Sequence, residues 1–194
     1  MTFDDAELEG AVRVNLNQKD GVIKKADLAK VKSLNLSRAK TDDALDPCVF
    51  PALTGLKELT LAPGTLDDLT PLAKAKDLES LGASGTQIHD LKQLAPFTKL
   101  DRLDLSKTPV ADLAPLGDLT SLTELRLSDT KITDIAPLTK LTKLEVLEIR
   151  HTAVKDVSPL KGTTTLKALD IEGSGVQDIS PVKGLPKIKI RQGS

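Results

Sequence analysis

Six aspartates stand at the same position of a 22-residue unit and are the first candidates for chemistry in this sequence. They are Asp68, Asp90, Asp112, Asp134, Asp156 and Asp178. A ladder of carboxylates could bind calcium, but each unit supplies one carboxylate, without the dense Asp and Gly spacing of an oxygen-ligand loop. Proline follows five of them after three residues, which favours a short helical turn capped by the aspartate. The aspartates are therefore predicted to be structural, and no metal site is expected.

The two histidines and the single cysteine do not form a recognisable reactive set. His89 and His151 occupy different positions of the unit, almost three units apart, so they are predicted to be solvated loop residues. Cys48 is predicted to be a small filler of the core or of a loop, because free cysteine is often buried. The sequence contains no GxSxG, phosphate-loop or HExxH motif. The chain is therefore predicted not to be an enzyme and to need no cofactor.

The overall charge and the aromatic content argue against nucleic acid as a partner. Lys and Arg number 27 against 28 Asp and Glu, and there is no Trp or Tyr on which bases could stack. No apolar run is long enough to cross a membrane, and the N-terminus has no apolar signal core. As given, the chain is expected to be soluble and untargeted, although a signal segment could have been removed.

Charged residues of both signs alternate with leucines in the second half of the chain. They are Arg102, Asp104, Glu124, Arg126, Glu148, Arg150, Asp170 and Glu172. One interpretation is that these charges pair across adjacent strands and keep an open sheet in solution. The other is that they form a polar docking face for another protein. No aromatic residue marks a binding hot spot among them, which for any single residue favours the first interpretation.

Six apolar positions share the 22-residue period and define the elements that carry these charges. One such position is occupied by Leu103, Leu125, Leu147 and Leu169. Alternation with polar neighbours, as in Leu103, Asp104 and Leu105, predicts a short strand with leucines inward and Asp104 outward. An isolated unit cannot cover its leucine face, so successive units must stack, and their strands then pair in parallel.

A column of hydroxyl residues follows the strands. It contains Thr86, Thr108, Thr130, Thr152 and Ser174. These side chains are predicted to hydrogen-bond turn backbone that the winding would leave unpaired. The column is therefore a structural feature and not a binding site.

The segments LDRLDLSKTPVADLAPLGDL, LTELRLSDTKITDIAPLTKL and LEVLEIRHTAVKDVSPLKGT resemble the leucine-rich repeat. Their length and the DLxPL half resemble the internalin-like bacterial subclass, and the resemblance covers roughly residues 31–190. It implies an α/β fold: a right-handed solenoid with a concave parallel sheet and short helical turns or extended segments on the convex side. About eight coils over residues 31–194 are expected to form one continuous solenoid domain.

Residues 1–30 break the period and are predicted to form an N-terminal helical cap. A helix is expected from Asp4 to Asn15, with Asp4 and Glu7 as its start signal, followed by a short amphipathic piece at 26–31 and a first strand at 33–37. The stretch from FDDAELEGAVRVNL to GVIKKADLAKV resembles the cap of internalin-like domains. The first coil is three residues longer than the others, which predicts a bulging loop at 41–47.

The last coil is predicted to be short and to end in a strand with sequence KIKIR. We expect Lys187 and Lys189 to align with Ala168 and Asp170 on the outward face. The apolar end of this coil has no following coil within the sequence and no recognisable cap. The expected states are therefore a chain that continues past Ser194, a monomer, or a weak end-to-end dimer.

The resemblance implies a non-enzymatic protein-binding module that uses its concave face, with another protein as its partner. The alternative is a structural spacer within a longer surface or multidomain protein. A secreted or cell-surface location is what the resemblance favours, and a cytoplasmic location stays open. Full-length gene sequence separates the two functions, because an anchor supports binding and a large neighbouring domain supports spacing.

Overall fold

In this computed structural model, which describes residues 2–39 and 44–193, eight three-residue strands form one parallel sheet in chain order. The strands are β1 Ser33–Asn35, β2 Glu58–Thr60, β3 Ser80–Gly82, β4 Arg102–Asp104, β5 Glu124–Arg126, β6 Val146–Glu148, β7 Ala168–Asp170 and β8 Lys189–Arg191. The central residue of β1 to β7 is a buried leucine, and it pairs with the central residue of the next strand. The predicted stack of short parallel strands is confirmed.

Short helical turns run along the side opposite the sheet. Most are 3₁₀ turns: Lys25–Lys30, Phe50–Ala52, Thr70–Leu72, Leu91–Leu94, Ala114–Asp118, Ala136–Lys140 and Ser158–Leu160; the helix α2, Ser180–Lys183, occupies the same place in the last coil. Each of the six repeated aspartates accepts a hydrogen bond from the backbone N–H two residues later, at 2.7 to 3.0 Å. The predicted capping role is confirmed. At Asp156 and Asp178 these bonds, from Ser158 and Ser180, lower the carboxyl pKa.

Gln93 stands where the coils on either side of it have proline, and its side chain hydrogen-bonds to the backbone of the preceding coil. Its Nε2 donates to the Asp67 carbonyl at 3.0 Å, and its Oε1 accepts from the Leu69 backbone N–H at 2.5 Å. Both groups belong to the preceding coil. The side chain therefore joins two neighbouring coils and satisfies backbone groups that turn geometry leaves open.

The hydroxyl column lies between the sheet and the turns. Thr86, Thr108, Thr130 and Thr152 are buried and donate to the carbonyl three residues earlier, at 2.6 to 2.8 Å. The prediction is confirmed for these four residues. Ser174 differs, because it is only half-buried and its hydroxyl accepts a longer bond of 3.4 Å from the Val176 N–H.

The N-terminal helix α1, Ala6–Leu16, begins two residues later than predicted. Asp5, not Asp4, caps it, because the Asp5 carboxylate accepts from the backbone N–H groups of Glu7 and Leu8. Near the end of α1, the Asn15 amide donates to the Ser33 carbonyl at 2.5 Å and accepts from the Ser33 N–H at 3.1 Å. Asn15 thus hydrogen-bonds to β1 as a neighbouring strand would, and it closes this edge of the sheet.

The first coil also differs from the prediction in detail. β1 ends at Asn35, two residues before the predicted end. The predicted bulging loop at 41–47 lies partly outside the described residues. Cys48 is exposed in a turn whose backbone is capped by Asp46, so the core role proposed for this cysteine is wrong and the loop role holds.

The last coil contains the main error of register. Leu169 pairs with Ile190, so this coil is shorter by one residue rather than three. Arg191 therefore stands opposite Asp170, and Lys189 stands opposite Ala168, which corrects the predicted alignment. The reason is that Lys187 adopts a left-handed conformation, with φ of 68°, and lies in the turn before β8.

Candidate functional site

The candidate site is the side of the sheet that faces away from the leucine core. Its members are the first and third residues of each strand together with the residue two positions after the strand, and we call this surface the open sheet face. Neighbouring strands of a sheet lie about 4.8 Å apart, so side chains of successive coils can touch along it. All eight charged residues predicted as partner-binding lie on this surface.

The first group of charges surrounds Arg126. Its guanidinium contacts the Glu124 carboxylate and donates from Nε to Glu148 at 3.0 Å. Partial burial disfavours the charged arginine, but the hydrogen bond to Glu148 and the negative charges of Glu124, Glu148 and Asp104 outweigh it and raise the pKa of Arg126. The arginine is therefore held charged between two strands.

The second group surrounds the carboxylates of Asp170, on β7, and Glu172, just after it. Arg150 contacts Glu172 at 3.0 Å and approaches Asp170 at 3.9 Å. Arg191 contacts the same two carboxylates, at 3.3 Å for Glu172 and 3.8 Å for Asp170. Arg191 was missed as a member because the register of the last coil was predicted wrongly, and the correct 21-residue spacing would have revealed it.

Arg102 and Asp104 complete the set of predicted residues. Arg102 contacts Glu58 at 3.5 Å across the intervening strand β3, which presents only Ser80 and Gly82. The Asp104 carboxylate accepts from the Ser106 backbone N–H at 2.9 Å and so caps a turn. Seven of the eight predicted residues are therefore held in ion pairs with one another or with Glu58 and Arg191.

Two shallow recesses of different character lie on the part of the open sheet face that the structure describes. One, of about 370 Å³, is polar and is lined chiefly by Thr60, Ser80, Gly82, Arg102 and Asp104. It exists because β3 carries a glycine where its neighbours carry larger side chains. Exposed ion pairs and hydroxyls of this kind are already solvated, so the recess offers polar contacts but little desolvation energy.

The other recess, of about 250 Å³, has mostly apolar walls. Val146 and Ala168 occupy adjacent outward positions on β6 and β7 and are both half-buried. Lys189 and Arg191 of β8 close one side of it. These two apolar residues interrupt a pattern of charges, and the sequence already showed them at outward positions without assigning them a role.

A histidine and an aspartate meet at the turns that follow the strands. His151 Nδ1 lies 3.0 Å from Asp129 Oδ1, and both side chains are about half exposed. His151 was predicted to be simply solvated; its spacing of 22 residues from Asp129 was the signal that the two are neighbours in the stack. The adjacent Thr130 hydroxyl donates to the Leu127 carbonyl, so it is not presented as a nucleophile.

Three further observations concern metal binding, membrane spanning and the second histidine. Across residues 2–39 and 44–193, no three His, Cys, Asp or Glu side chains converge on a position that could hold a metal ion. In the same part of the chain, no helix has the length and apolar character needed to span a bilayer. His89, the second histidine, is exposed, and its Nδ1 lies 3.1 Å from the Gln87 carbonyl.

Comparison with protein families identifies leucine-rich repeats in this chain. A family described as leucine-rich repeats, in two copies, matches residues 120–162. A search of curated proteins finds no significant match. The matched residues include β5 and β6 and the turn between them, so the family assignment falls on the central coils of the solenoid.

Solved structures with the same fold include two internalins of Listeria monocytogenes. Internalin C2 has a TM-score of 0.77 and 22% identity, over 98% of this chain and 94% of that chain. The internalin InlF has a TM-score of 0.77 and 23% identity, over 99% of this chain and 63% of that chain. A leucine-rich repeat protein of Leptospira interrogans has a TM-score of 0.72 and 16% identity, over 87% and 51%. The chain therefore has an internalin-like leucine-rich repeat fold, as predicted.

Proposed function

We propose that this leucine-rich repeat solenoid is a non-enzymatic module that binds another protein through its open sheet face. The observation that carries the proposal is the exposure of that face. Within residues 2–39 and 44–193 no further element packs over it, and the side chains of Arg102 and Glu58 are half exposed. Similarity to internalins favours a secreted or cell-surface protein. The proposed contact residues are Arg102, Asp104, Glu124, Arg126, Glu148, Arg150, Asp170 and Glu172.

The arrangement of charges suits a protein partner better than a small molecule. Both recesses of the face are shallow, whereas small ligands are usually held in concave pockets that cover most of their surface. The ion pairs hold long side chains in defined positions before a partner arrives, which reduces the entropy lost on binding. Alternating charges also give orientation and specificity rather than uniform attraction.

The experiment requires a partner captured by cross-linking to the intact protein, followed by calorimetric titration of variants. Arg126→Ala combined with Glu148→Ala removes one charge of each sign, so no unpaired member of that pair is left behind. We expect this double variant to weaken binding about threefold or more, because these charges orient the partner. Replacement of Lys155 and Lys161 by alanine, on the exposed side away from the sheet, is the matched control and should change affinity less than twofold.

The alternative function, a structural spacer, gives a different result. A spacer keeps its activity in the parent protein when side chains of the open sheet face are replaced, provided that the fold is intact. Equal loss of binding from both pairs of substitutions, or loss from the lysine pair alone, contradicts the proposed use of the open sheet face.

A further inference from the structure

Resting on the function proposed above, we propose that the apolar recess at Val146 and Ala168 is the anchor point of the open sheet face. The recess receives one aliphatic or aromatic side chain of the partner protein, and an acidic residue of the partner lies next to that side chain. The charged residues around the recess then orient the partner. This assigns the main contact to residues outside the charged set.

The first argument concerns which groups of the face are free to interact. Arg126, Arg150 and Arg191 are each bound to carboxylates of this chain. A partner must break or share those contacts, and exchanging one exposed ion pair for another yields little free energy. An apolar surface in contact with water gains on burial without such an exchange.

The second argument concerns the position and size of the recess. Val146 pairs with Ala168 across β6 and β7, so their side chains form a continuous apolar floor two strands wide. The volume of about 250 Å³ lies below the range typical of small-molecule pockets and suits one large side chain. Binding hot spots are commonly apolar pockets of this kind, surrounded by polar groups that exclude water.

The third argument concerns charge complementarity. Lys189 stands opposite Ala168, lines the recess and is exposed. In the described part of the chain it makes no ion pair, whereas the neighbouring Arg191 is engaged by Asp170 and Glu172. The carboxylates at the rim, Glu148 and Asp170, already have arginine partners. The unsatisfied charge beside the recess is therefore positive, which selects an acidic residue in the partner.

These arguments define the chemistry of the occupant. It is a segment of another protein in which a Leu, Ile, Met or Phe side chain lies within about three residues of Asp or Glu. One strand spacing, about 4.8 Å, separates Ala168 from Lys189, and the flexible lysine side chain extends the reach further. An extended segment or one turn of helix can satisfy both contacts at once.

The test selects random twelve-residue displayed peptides on the intact protein and then measures affinities of the enriched peptides as synthetic molecules. We expect an apolar residue close to an acidic one in the enriched sequences. Val146→Lys should reduce their affinity about tenfold or more, as expected for loss of one buried aliphatic contact. Ala168→Leu, which fills the recess without adding charge, should also weaken binding. Lys189→Gln should weaken it about threefold and reduce its dependence on salt.

Ala111→Lys is the matched control, because it adds the same charge at an exposed position between β4 and the following turn, outside the open sheet face. It should leave affinity unchanged. Unchanged melting temperature and circular dichroism confirm that each variant is folded. Binding kept with Val146→Lys but lost when Arg126 and Glu148 are both replaced by alanine overturns the anchor while leaving the proposed function intact. Binding lost only when Lys155 and Lys161 are replaced overturns both. Enrichment of basic or purely polar peptides, or of none, overturns the anchor.

Discussion

Asn15 closes the first edge of the sheet with one side chain, and its replacement tests how the N-terminal helix supports the solenoid. Its amide donates to the Ser33 carbonyl at 2.5 Å and accepts from the Ser33 N–H at 3.1 Å. Asn15→Ala removes both bonds, together with a longer one of 3.4 Å from the Lys32 N–H and one to the Ala11 carbonyl within the helix, and leaves the outer backbone groups of Ser33 to water. We expect the first coil to loosen before the rest of the solenoid, because coils in such a stack depend on their neighbours.

The magnitude follows from two opposing effects. Each lost hydrogen bond costs about 0.5 to 1.5 kcal/mol, and the exposed position of Asn15 places the sum near the lower end, about 1 to 2 kcal/mol. Alanine is the better helix former by about 0.5 kcal/mol, which offsets part of this cost in α1. The net loss is about 0.5 to 1.5 kcal/mol, and the melting temperature should fall by roughly 1 to 6 °C.

Thermal unfolding and amide exchange together provide the assay. The Ser33 amide should exchange about tenfold faster in Asn15→Ala. Asn15→Asp is the matched variant: it keeps an acceptor for the Ser33 N–H, but it sets a carboxylate against the Ser33 carbonyl. We expect Asn15→Asp to retain protection of the Ser33 amide and still to lower the melting temperature. Unchanged exchange and unchanged melting in Asn15→Ala would refute the assignment of this edge to Asn15.

Three other predictions follow from the core, the caps and the coil junctions. Leu125→Asp places a charge at a position that is 0% exposed in the middle of the sheet, so it should unfold neighbouring coils as well, by several kcal/mol in denaturant titration; an unchanged midpoint would contradict the core assignment. The pKa of the Asp178 carboxyl is lowered in the folded state, so its contribution to the free energy of unfolding is present above about pH 4 and is lost as pH falls through the folded value. Asp178→Asn should therefore make the melting temperature depend less on pH over this acidic range. Gln93→Ala should cost about 1 to 2 kcal/mol and accelerate exchange of the Leu69 amide, whereas Gln87→Ala, in the turn before, should not change that exchange.

The regular coils were predictable because the same spacing produces the same environment in every coil. A leucine at the centre of β5 has coils on both sides, so one periodic pattern determines its burial, its strand and its partners. The last coil lacks this constraint. Its shortened length left several alignments with Leu169 open, and the choice of Ile190 depends on the left-handed turn at Lys187, for which the sequence carries no glycine signal.

It was easier to predict which charged residues lie on the open sheet face than which of them form ion pairs with one another. Alternation with leucines places Arg126 and Glu148 outward on neighbouring strands, and their contact follows from that register. The contact of Arg102 with Glu58 spans two strands, and the residue between them on β3 is the small Ser80. Such contacts depend on side-chain length and on the neighbour between the partners, neither of which a repeat pattern specifies.

The division of roles within each coil explains why the proposed binding function is placed on the outward residues. Inward leucines at positions such as Leu147 are required by stacking, whereas the outward residues of the same strand can change without altering the core. Charged residues at outward positions pair across neighbouring strands, as Arg126 and Glu148 do. Val146 and Ala168 form no ion pair: they are half-buried and leave apolar surface in contact with water. This apolar pair lies beside Lys189, which makes no ion pair within the described residues, and the two observations together are the basis on which we propose the partner's anchor there.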